Sequence, residues 1–62
     1  MIKLTKMNGN DFYINADLIE KIDTVPNTII TMNSQVQYLV KESILIINEL
    51  IVEEKQKFFN KL

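Results

Sequence analysis

Apolar and polar side chains alternate over short stretches through the first forty residues, with the period of two that is typical of β-strands. Residues 2–7 and 11–15 both follow this pattern. Between them lies Asn8-Gly9, a pair that favours a tight turn because both residue types tolerate positive φ angles. We therefore predict that these two segments form a β-hairpin.

A turn and a third strand are predicted next. Asn15 and Asp17 favour a turn, because their side chains can accept hydrogen bonds from nearby backbone amides. The apolar residues of the segment 18–22 fit a helical turn as well as a strand. Because the segment is short and Pro26 soon removes a backbone donor, we favour a strand over residues 19–24.

Two further strands complete the predicted sheet. Residues 28–32 are rich in β-branched side chains, which suit a strand. Residues 33–35 (Asn-Ser-Gln) favour a turn, and residues 36–41 alternate again, with Val36, Tyr38 and Val40 on one face.

From Glu42 onward the apolar spacing changes to the 3.6-residue period of an α-helix. Ser43 is a good N-cap, because its hydroxyl can accept a hydrogen bond from an unpaired amide of the first turn. We therefore predict an α+β fold in a single domain. A small antiparallel sheet of about five short strands (residues 1–41) is followed by one long amphipathic C-terminal helix (residues 42–62).

The apolar surface of this helix is wider than one sheet face requires. On a helical wheel with about 100° per residue, one apolar stripe contains Ile44, Ile47, Leu50, Ile51, Phe58 and Leu62. A second stripe contains Leu45, Val52 and Phe59. Together they span about 220°, whereas packing on a sheet needs little more than ~100°.

Two interpretations of the wide apolar surface stay open. In the first, the helix sinks into a curled sheet and both stripes are core. In the second, which we favour, one stripe packs on the sheet and the other contacts a second molecule, as exposed apolar patches usually do. The predicted partner-binding residues are Leu45, Val52, Phe59, Phe58 and Leu62.

Composition argues against catalysis. The chain has 62 residues, with seven lysines, eight acidic residues, and no arginine, cysteine or histidine. The usual general base, thiolate nucleophile and metal ligands are therefore missing. We predict a protein that is not an enzyme and that has no cofactor, no metal site and no small-molecule substrate.

Size and charge point to a protein partner. A domain this small buries only about 60% of its unfolded surface, so association is a common source of added stability. A net charge of −1 without arginine makes nucleic acid an improbable partner. No apolar run approaches the roughly 18 residues that span a bilayer, so we expect a cytoplasmic protein. Because association is a common source of stability for so small a domain, we also expect homo-oligomers.

Two weaker alternatives also come from the residues. Tyr13 and Tyr38, together with Lys3, Lys6 and Lys41, could line a basic aromatic groove, so a self-associating β-domain that binds nucleic acid or a regulatory partner is the alternative function. Alternatively, the end of the helix that carries two phenylalanines could attach peripherally to a membrane. The helix contains more acids than lysines, which is a poor match to anionic lipid.

The order and spacing of several short segments resemble a known family. The segments are "IKLTKMNGNDFYINADLIEKID", "PNTIITM" and "YLVKES". The most specific pieces are Leu4-Thr5, Asn8-Gly9, Phe12-Tyr13, Asn15-Ala16, Ile19-Glu20, Pro26, Thr28 and Lys41-Glu42-Ser43. Over residues 1–43 the chain is similar to the small flagellar proteins of the FlbD family, also called SwrD.

This resemblance implies a cytoplasmic accessory of bacterial flagellar motility. The expected place is the flagellar base, on the inner face of the membrane. The expected role is to support swarming or motor power through the stator or another motor or basal-body component. The resemblance implies no catalytic or ligand-binding residues.

The chain departs from the family pattern at two points. Family members tend to have Gly in the turn where this chain has Gln35, so we expect a different turn, with Asn33 in the left-handed conformation. The family also tends to place acids in the first helical turn, where this chain has Ile44, Leu45 and Ile46. This second departure enlarges the apolar surface and favours a homo-oligomer or a tighter partner contact.

Overall fold

The structure, a computed structural model, describes residues 1–60, with side chains described as far as residue 57. The elements in chain order are β1 (Ile2–Thr5), β2 (Asp11–Ile14), a 3₁₀-helix (Ala16–Leu18), β3 (Ile19–Asp23), β4 (Thr28–Met32), β5 (Gln37–Val40) and α1 (Ile44–Asn60). The predicted α+β fold of five short strands and one C-terminal helix is confirmed.

β1 and β2 form the predicted hairpin. The strands are antiparallel, with Ile2 opposite Ile14 and Leu4 opposite Phe12, so these four side chains share one face. Gly9 has φ 92°, in the left-handed region. Its amide donates to the Lys6 carbonyl oxygen at 2.9 Å, which closes the turn.

The predicted turn between β2 and β3 becomes a short 3₁₀-helix. Asn15 caps it, and its side-chain oxygen accepts from the Asp17 amide at 3.0 Å, as predicted for these residue types. Leu18 belongs to this helical turn, whereas Ile19 begins β3. The ambiguous apolar segment therefore contains both a helical turn and a strand.

The other three strands form a second antiparallel sheet in the order β3-β4-β5. Five strands were expected in one sheet, but the structure divides them between two. A single bridge between Lys6 and Val40 and a hydrogen bond from the Lys41 amide to the Thr5 carbonyl oxygen (2.9 Å) connect the end of β1 to the end of β5. The division follows from β1, which ends before a full ladder with β5 can form.

The turn between β4 and β5 corrects one prediction. Gln35, and not Asn33, has the positive φ of 75°. The Gln35 amide donates to the Met32 carbonyl oxygen at 2.8 Å, and the Met32 amide donates to the Val36 carbonyl oxygen at 2.9 Å. Two hydrogen bonds with the same spacing close the first hairpin: the Gly9 amide donates to the Lys6 carbonyl oxygen, and the Lys6 amide donates to the Asn10 carbonyl oxygen. Gln35 is thus the structural equivalent of Gly9, because this hairpin type needs a left-handed residue after its turn.

The core lies between the two sheets and α1. The buried apolar side chains are those of Ile2, Leu4, Ile14, Ile30, Met32, Val40 and Ile47. Of these, Leu4, Ile30 and Ile47 are completely enclosed, so each sheet and the helix contribute one central side chain. Leu50 and Ile51 pack against this cluster from the helix.

Candidate functional site

The candidate site is the face of α1 that points away from the sheets. Its apolar positions are 45, 52 and 59, and we call them the outer stripe. The Leu45 side chain is 73% exposed and the Val52 side chain is 51% exposed. The interpretation in which both helical stripes are core is therefore wrong for these two residues.

Three of the five predicted partner-binding residues cannot be placed. The side chains of Phe58 and Phe59 and all of Leu62 lie outside the described part of the chain. Position 59 does belong to α1, seven residues after Val52. The partner-binding role of all five residues stays a prediction.

The start of α1 is fixed by Ser43 and by the residue before it. The Ile46 amide donates to the Ser43 hydroxyl oxygen at 3.4 Å, in the N-cap role predicted for Ser43. Glu42 accepts two hydrogen bonds from Thr5, one from the backbone amide at 2.9 Å and one from the hydroxyl at 2.8 Å. Glu42 thereby ties the helix to the last residue of β1.

The protonation of Glu42 reflects these two contacts. Partial burial disfavours the charged form of the carboxyl, but the hydrogen bonds from the Thr5 amide and hydroxyl outweigh that effect. The pKa of Glu42 is therefore lowered below its ordinary value of 4.5. The carboxylate is charged near neutral pH, when its bonds to Thr5 are strongest.

A second contact sets the direction of the helix. The amino group of Met1, just before β1, forms an ion pair with Glu54 at 2.7 Å. Since Glu42 lies at the end of β1 and Glu54 at its start, α1 runs antiparallel to β1. This placement turns Ile47 into the core and leaves Leu45 and Val52 on the outer side.

The second half of α1 has little cover from the rest of the chain. Residues 52–57 are all exposed, although the helix continues to Asn60. The molecule measures 39 × 23 × 19 Å, an elongated shape that fits a helix extending past the sheets. An apolar residue such as Val52 consequently lies on a free surface.

Ile46 was counted in the enlarged apolar surface of the first helical turn, but its place on the helix was not predicted. Its side chain is 47% exposed, on the polar side of the helix away from the outer stripe. Its position on the helical wheel, roughly 100° beyond that of Leu45, lies in neither predicted apolar stripe. That position could have predicted an exposed side chain on the polar side of the helix. Thr5 and Glu42 were missed as a contact, although both belong to pieces that carry the family resemblance.

The carboxylates do not converge on a reaction centre in the described residues. Asp17 is exposed on the 3₁₀-helix, and Glu20 and Asp23 are exposed on β3. In residues 1–60, no group of three or more Asp, Glu, His or Cys side chains lies close enough together to hold a metal ion. Within the same range, α1 is too short and too polar to cross a bilayer.

The structure separates the residues of the predicted aromatic groove. Tyr13 points outward from the first sheet and is 63% exposed. Tyr38 packs against Phe12 on the inner side, with ring centroids 5.2 Å apart, and the Lys6 ammonium lies 5.4 Å from the Phe12 centroid. Lys3 instead pairs with Asp11 at 3.4 Å. The two tyrosines therefore share no stacking surface.

Comparison with known proteins identifies the family. A family model, FlbD, described as flagellar and swarming motility proteins, matches residues 1–59. No curated protein and no solved structure matches the chain. The match confirms the resemblance seen over residues 1–43 and extends it across most of α1, so that Leu45 and Val52 lie inside the matched segment. The chain belongs to the FlbD family of flagellar and swarming motility proteins.

Proposed function

We propose that this protein is a non-catalytic, cytoplasmic accessory of flagellar motility that acts through protein–protein contacts. Its partner is a component of the flagellar motor or basal body, and the contact supports motor or stator function during swarming. The contact surface is the outer stripe of α1. The observation that carries the proposal is the exposure of Leu45 and Val52 on a helix whose opposite face is firmly packed.

The way in which α1 is held supports this role. A helix that carries a docking surface must keep a fixed orientation, since a loose one would lose entropy on binding. Glu42 bonded to Thr5 fixes the start of α1, and Ile47 in the core fixes its rotation. The outer stripe is therefore presented in one direction.

Chemistry on the outer stripe also favours a protein partner. Leu45 and Val52 are apolar, whereas the side chains around them are amides and charges, namely Asn48, Glu49, Lys55 and Gln56. An apolar centre with a polar rim is the usual composition of a protein–protein interface.

Substitution of Val52 tests the proposal. In a motile host strain that lacks the gene, we expect wild-type protein to restore swarm expansion and Val52→Glu to fail, because a carboxylate at the centre of an apolar contact must be desolvated. Ile46→Glu is the matched control, since Ile46 has a similar exposure on the same helix but lies off the outer stripe.

Two readouts separate docking from folding. Circular dichroism and immunoblotting should show that both variants fold and accumulate like wild type. Affinity purification from motile cells should recover motor or basal-body components with wild type and with Ile46→Glu, and few with Val52→Glu. Normal swarming by a folded Val52→Glu variant would overturn the proposed contact surface.

A further inference from the structure

We propose that the outer stripe pairs with the outer stripe of a second copy, with the two helices antiparallel and the two-fold axis passing beside Val52. The inference rests on the proposed function, because it concerns the same surface: in the free protein the second copy occupies the outer stripe, and a motor or basal-body component takes its place on binding. It goes further by fixing the direction and the register of the pair. Its basis is the self-complementarity of the exposed residues on either side of Val52.

Val52 is the midpoint of α1. The helix extends from Ile44 to Asn60, so eight residues lie on each side of Val52. An antiparallel pair centred there overlaps over the full length of both helices, about 26 Å. The exposed second half of each helix, residues 52–57, then lies beside the first half of the other copy. This arrangement covers the outer side of that second half.

The charges around Val52 match in this arrangement. The two-fold axis reverses the direction of the second helix. A residue three positions before Val52 in one copy therefore lies at the same height along the pair as the residue three positions after Val52 in the other copy. Glu49 therefore shares a layer with Lys55 of the second copy. Asn48 and Gln56 are related in the same way and join the same layer. Each polar layer contains one acid, one base and two amides, all from exposed side chains.

The apolar positions follow the same symmetry. Val52 lies next to Val52 of the second copy at the axis. Leu45, seven residues before the midpoint, lies at the height of position 59 of the second copy, which is Phe59 in the sequence. Apolar layers at the centre and at both ends therefore alternate with the two charge-balanced layers.

A parallel pair lacks this match. It would place Glu49 beside Glu49 in one layer and Lys55 beside Lys55 in the other, and like charges at close range are unfavourable. Glu49 and Lys55 cannot satisfy each other within one copy either. They are six residues apart, which separates them by about 9 Å along the axis and roughly 120° around it. The residues thus favour a second, antiparallel copy.

Disulfide trapping tests the register directly, because the chain contains no native cysteine. In the full-length protein with Val52→Cys, the two thiols meet at the axis, so mild oxidation should yield a covalent dimer. With Leu45→Cys, the two thiols are fourteen residues apart along the pair, about 21 Å, which no disulfide can bridge. We expect at least tenfold faster cross-linking for Val52→Cys. Equal rates for the two variants, or none for either, would overturn the proposal.

Charge exchange provides a second test that leaves Val52 in place. Glu49→Lys and Lys55→Glu each put like charges into both polar layers, so each should weaken dimerisation several-fold in sedimentation equilibrium. The double variant Glu49→Lys/Lys55→Glu restores one acid and one base per layer and should dimerise like wild type. A double variant no better than either single variant would contradict the antiparallel register.

Failure of this inference can be distinguished from failure of the proposed function. If the wild-type protein is a monomer at tens of micromolar and Val52→Cys does not cross-link, the antiparallel pair is wrong. A Val52→Glu variant that still fails to support swarming would then assign the outer stripe to another protein, and the proposed function would stand. Conversely, efficient cross-linking with normal swarming by Val52→Glu supports the pair and overturns the proposed function.

Discussion

Glu42 and Thr5 are 37 residues apart in the chain, and both oxygens of the Glu42 carboxylate accept hydrogen bonds from Thr5. The Thr5 amide donates to one oxygen at 2.9 Å and the Thr5 hydroxyl donates to the other at 2.8 Å. This pair joins the end of β1 to the residue that precedes the N-cap of α1. The direction of the outer stripe therefore depends on a polar contact as well as on the apolar core.

Removing the Glu42 carboxylate should destabilise the domain. Hydrogen bonds to a charged group contribute about 1.5–3 kcal/mol when buried, and partial exposure reduces this, so we expect Glu42→Ala to lower the free energy of unfolding by about 1–2 kcal/mol. Urea titration, monitored by circular dichroism, measures this difference in the free energy of unfolding. In a double-mutant cycle, Thr5→Val should show a positive coupling with Glu42→Ala. Strict additivity would mean that the hydroxyl contact contributes nothing.

The same contact predicts a dependence of stability on pH. The pKa of Glu42 is lower in the folded protein than its ordinary value of 4.5, so the unfolded chain binds the proton more readily. The stabilisation is fully present above about pH 5 and is lost as the pH falls through the lower, folded-state pKa. Glu42→Gln should flatten this part of the stability curve.

Glu49→Gln serves as the control for that measurement, made at a protein concentration low enough that self-association is absent. Glu49 is exposed on the same helix, away from Thr5, and its substitution removes one carboxylate without touching the contact. Its curve of unfolding free energy against pH should keep the acid-side decline of wild type. If Glu42→Gln and Glu49→Gln behave alike, the Glu42 carboxylate is not the source of the decline.

Gln35 offers a site where a substitution should stabilise the fold. A side chain at φ 75° costs roughly 1–2 kcal/mol, whereas glycine adopts that conformation freely. Part of the gain is offset, because glycine gives the unfolded chain about 0.4–1 kcal/mol of additional conformational freedom. We expect Gln35→Gly to raise the free energy of unfolding by about 0.5–1 kcal/mol, measured by urea titration.

Gly9→Ala is the reciprocal test in the first hairpin. Nothing lies within 4 Å of the position that an added Cβ would take, so any loss of stability comes from the backbone conformation at φ 92°. The two substitutions should change stability in opposite directions. A loss of stability in Gln35→Gly would show that the Gln35 side chain makes a contribution of its own.

The sequence predicted those features that depend on neighbouring residues. Alternation gave the strands, Asn8-Gly9 gave the first hairpin, and Ser43 gave the start of the helix, because each depends on a few adjacent positions. The contact between Glu42 and Thr5 could not be predicted in this way, since it forms only when two distant segments meet. It fixes where α1 starts against β1, and the burial of Ile47 then decides which helical stripe is outside, so the site needed the structure.

The turn at Gln35 shows a second limit of prediction from residue type. Asn33 is the better candidate for a left-handed conformation by residue preference alone. The hairpin register, set by Met32 and Val36, instead assigns that conformation to the third residue of the turn, whichever residue occupies it. Tertiary pairing thus overrode the local preference.

Truncation of a side chain should destabilise the domain strongly on the inner face of α1 and hardly at all on the outer face. Ile47 is completely buried, and Ile47→Ala leaves a cavity that should cost about 2–5 kcal/mol. A domain of this size has a total stability of only about 3–5 kcal/mol, so Ile47→Ala should be largely unfolded at 37 °C by circular dichroism. Leu45→Ala removes an exposed side chain and should change the unfolding free energy of the isolated chain by less than about 0.5 kcal/mol. Measured at low protein concentration, where self-association is absent, a large loss in Leu45→Ala would place Leu45 in the core and remove the basis of the outer stripe.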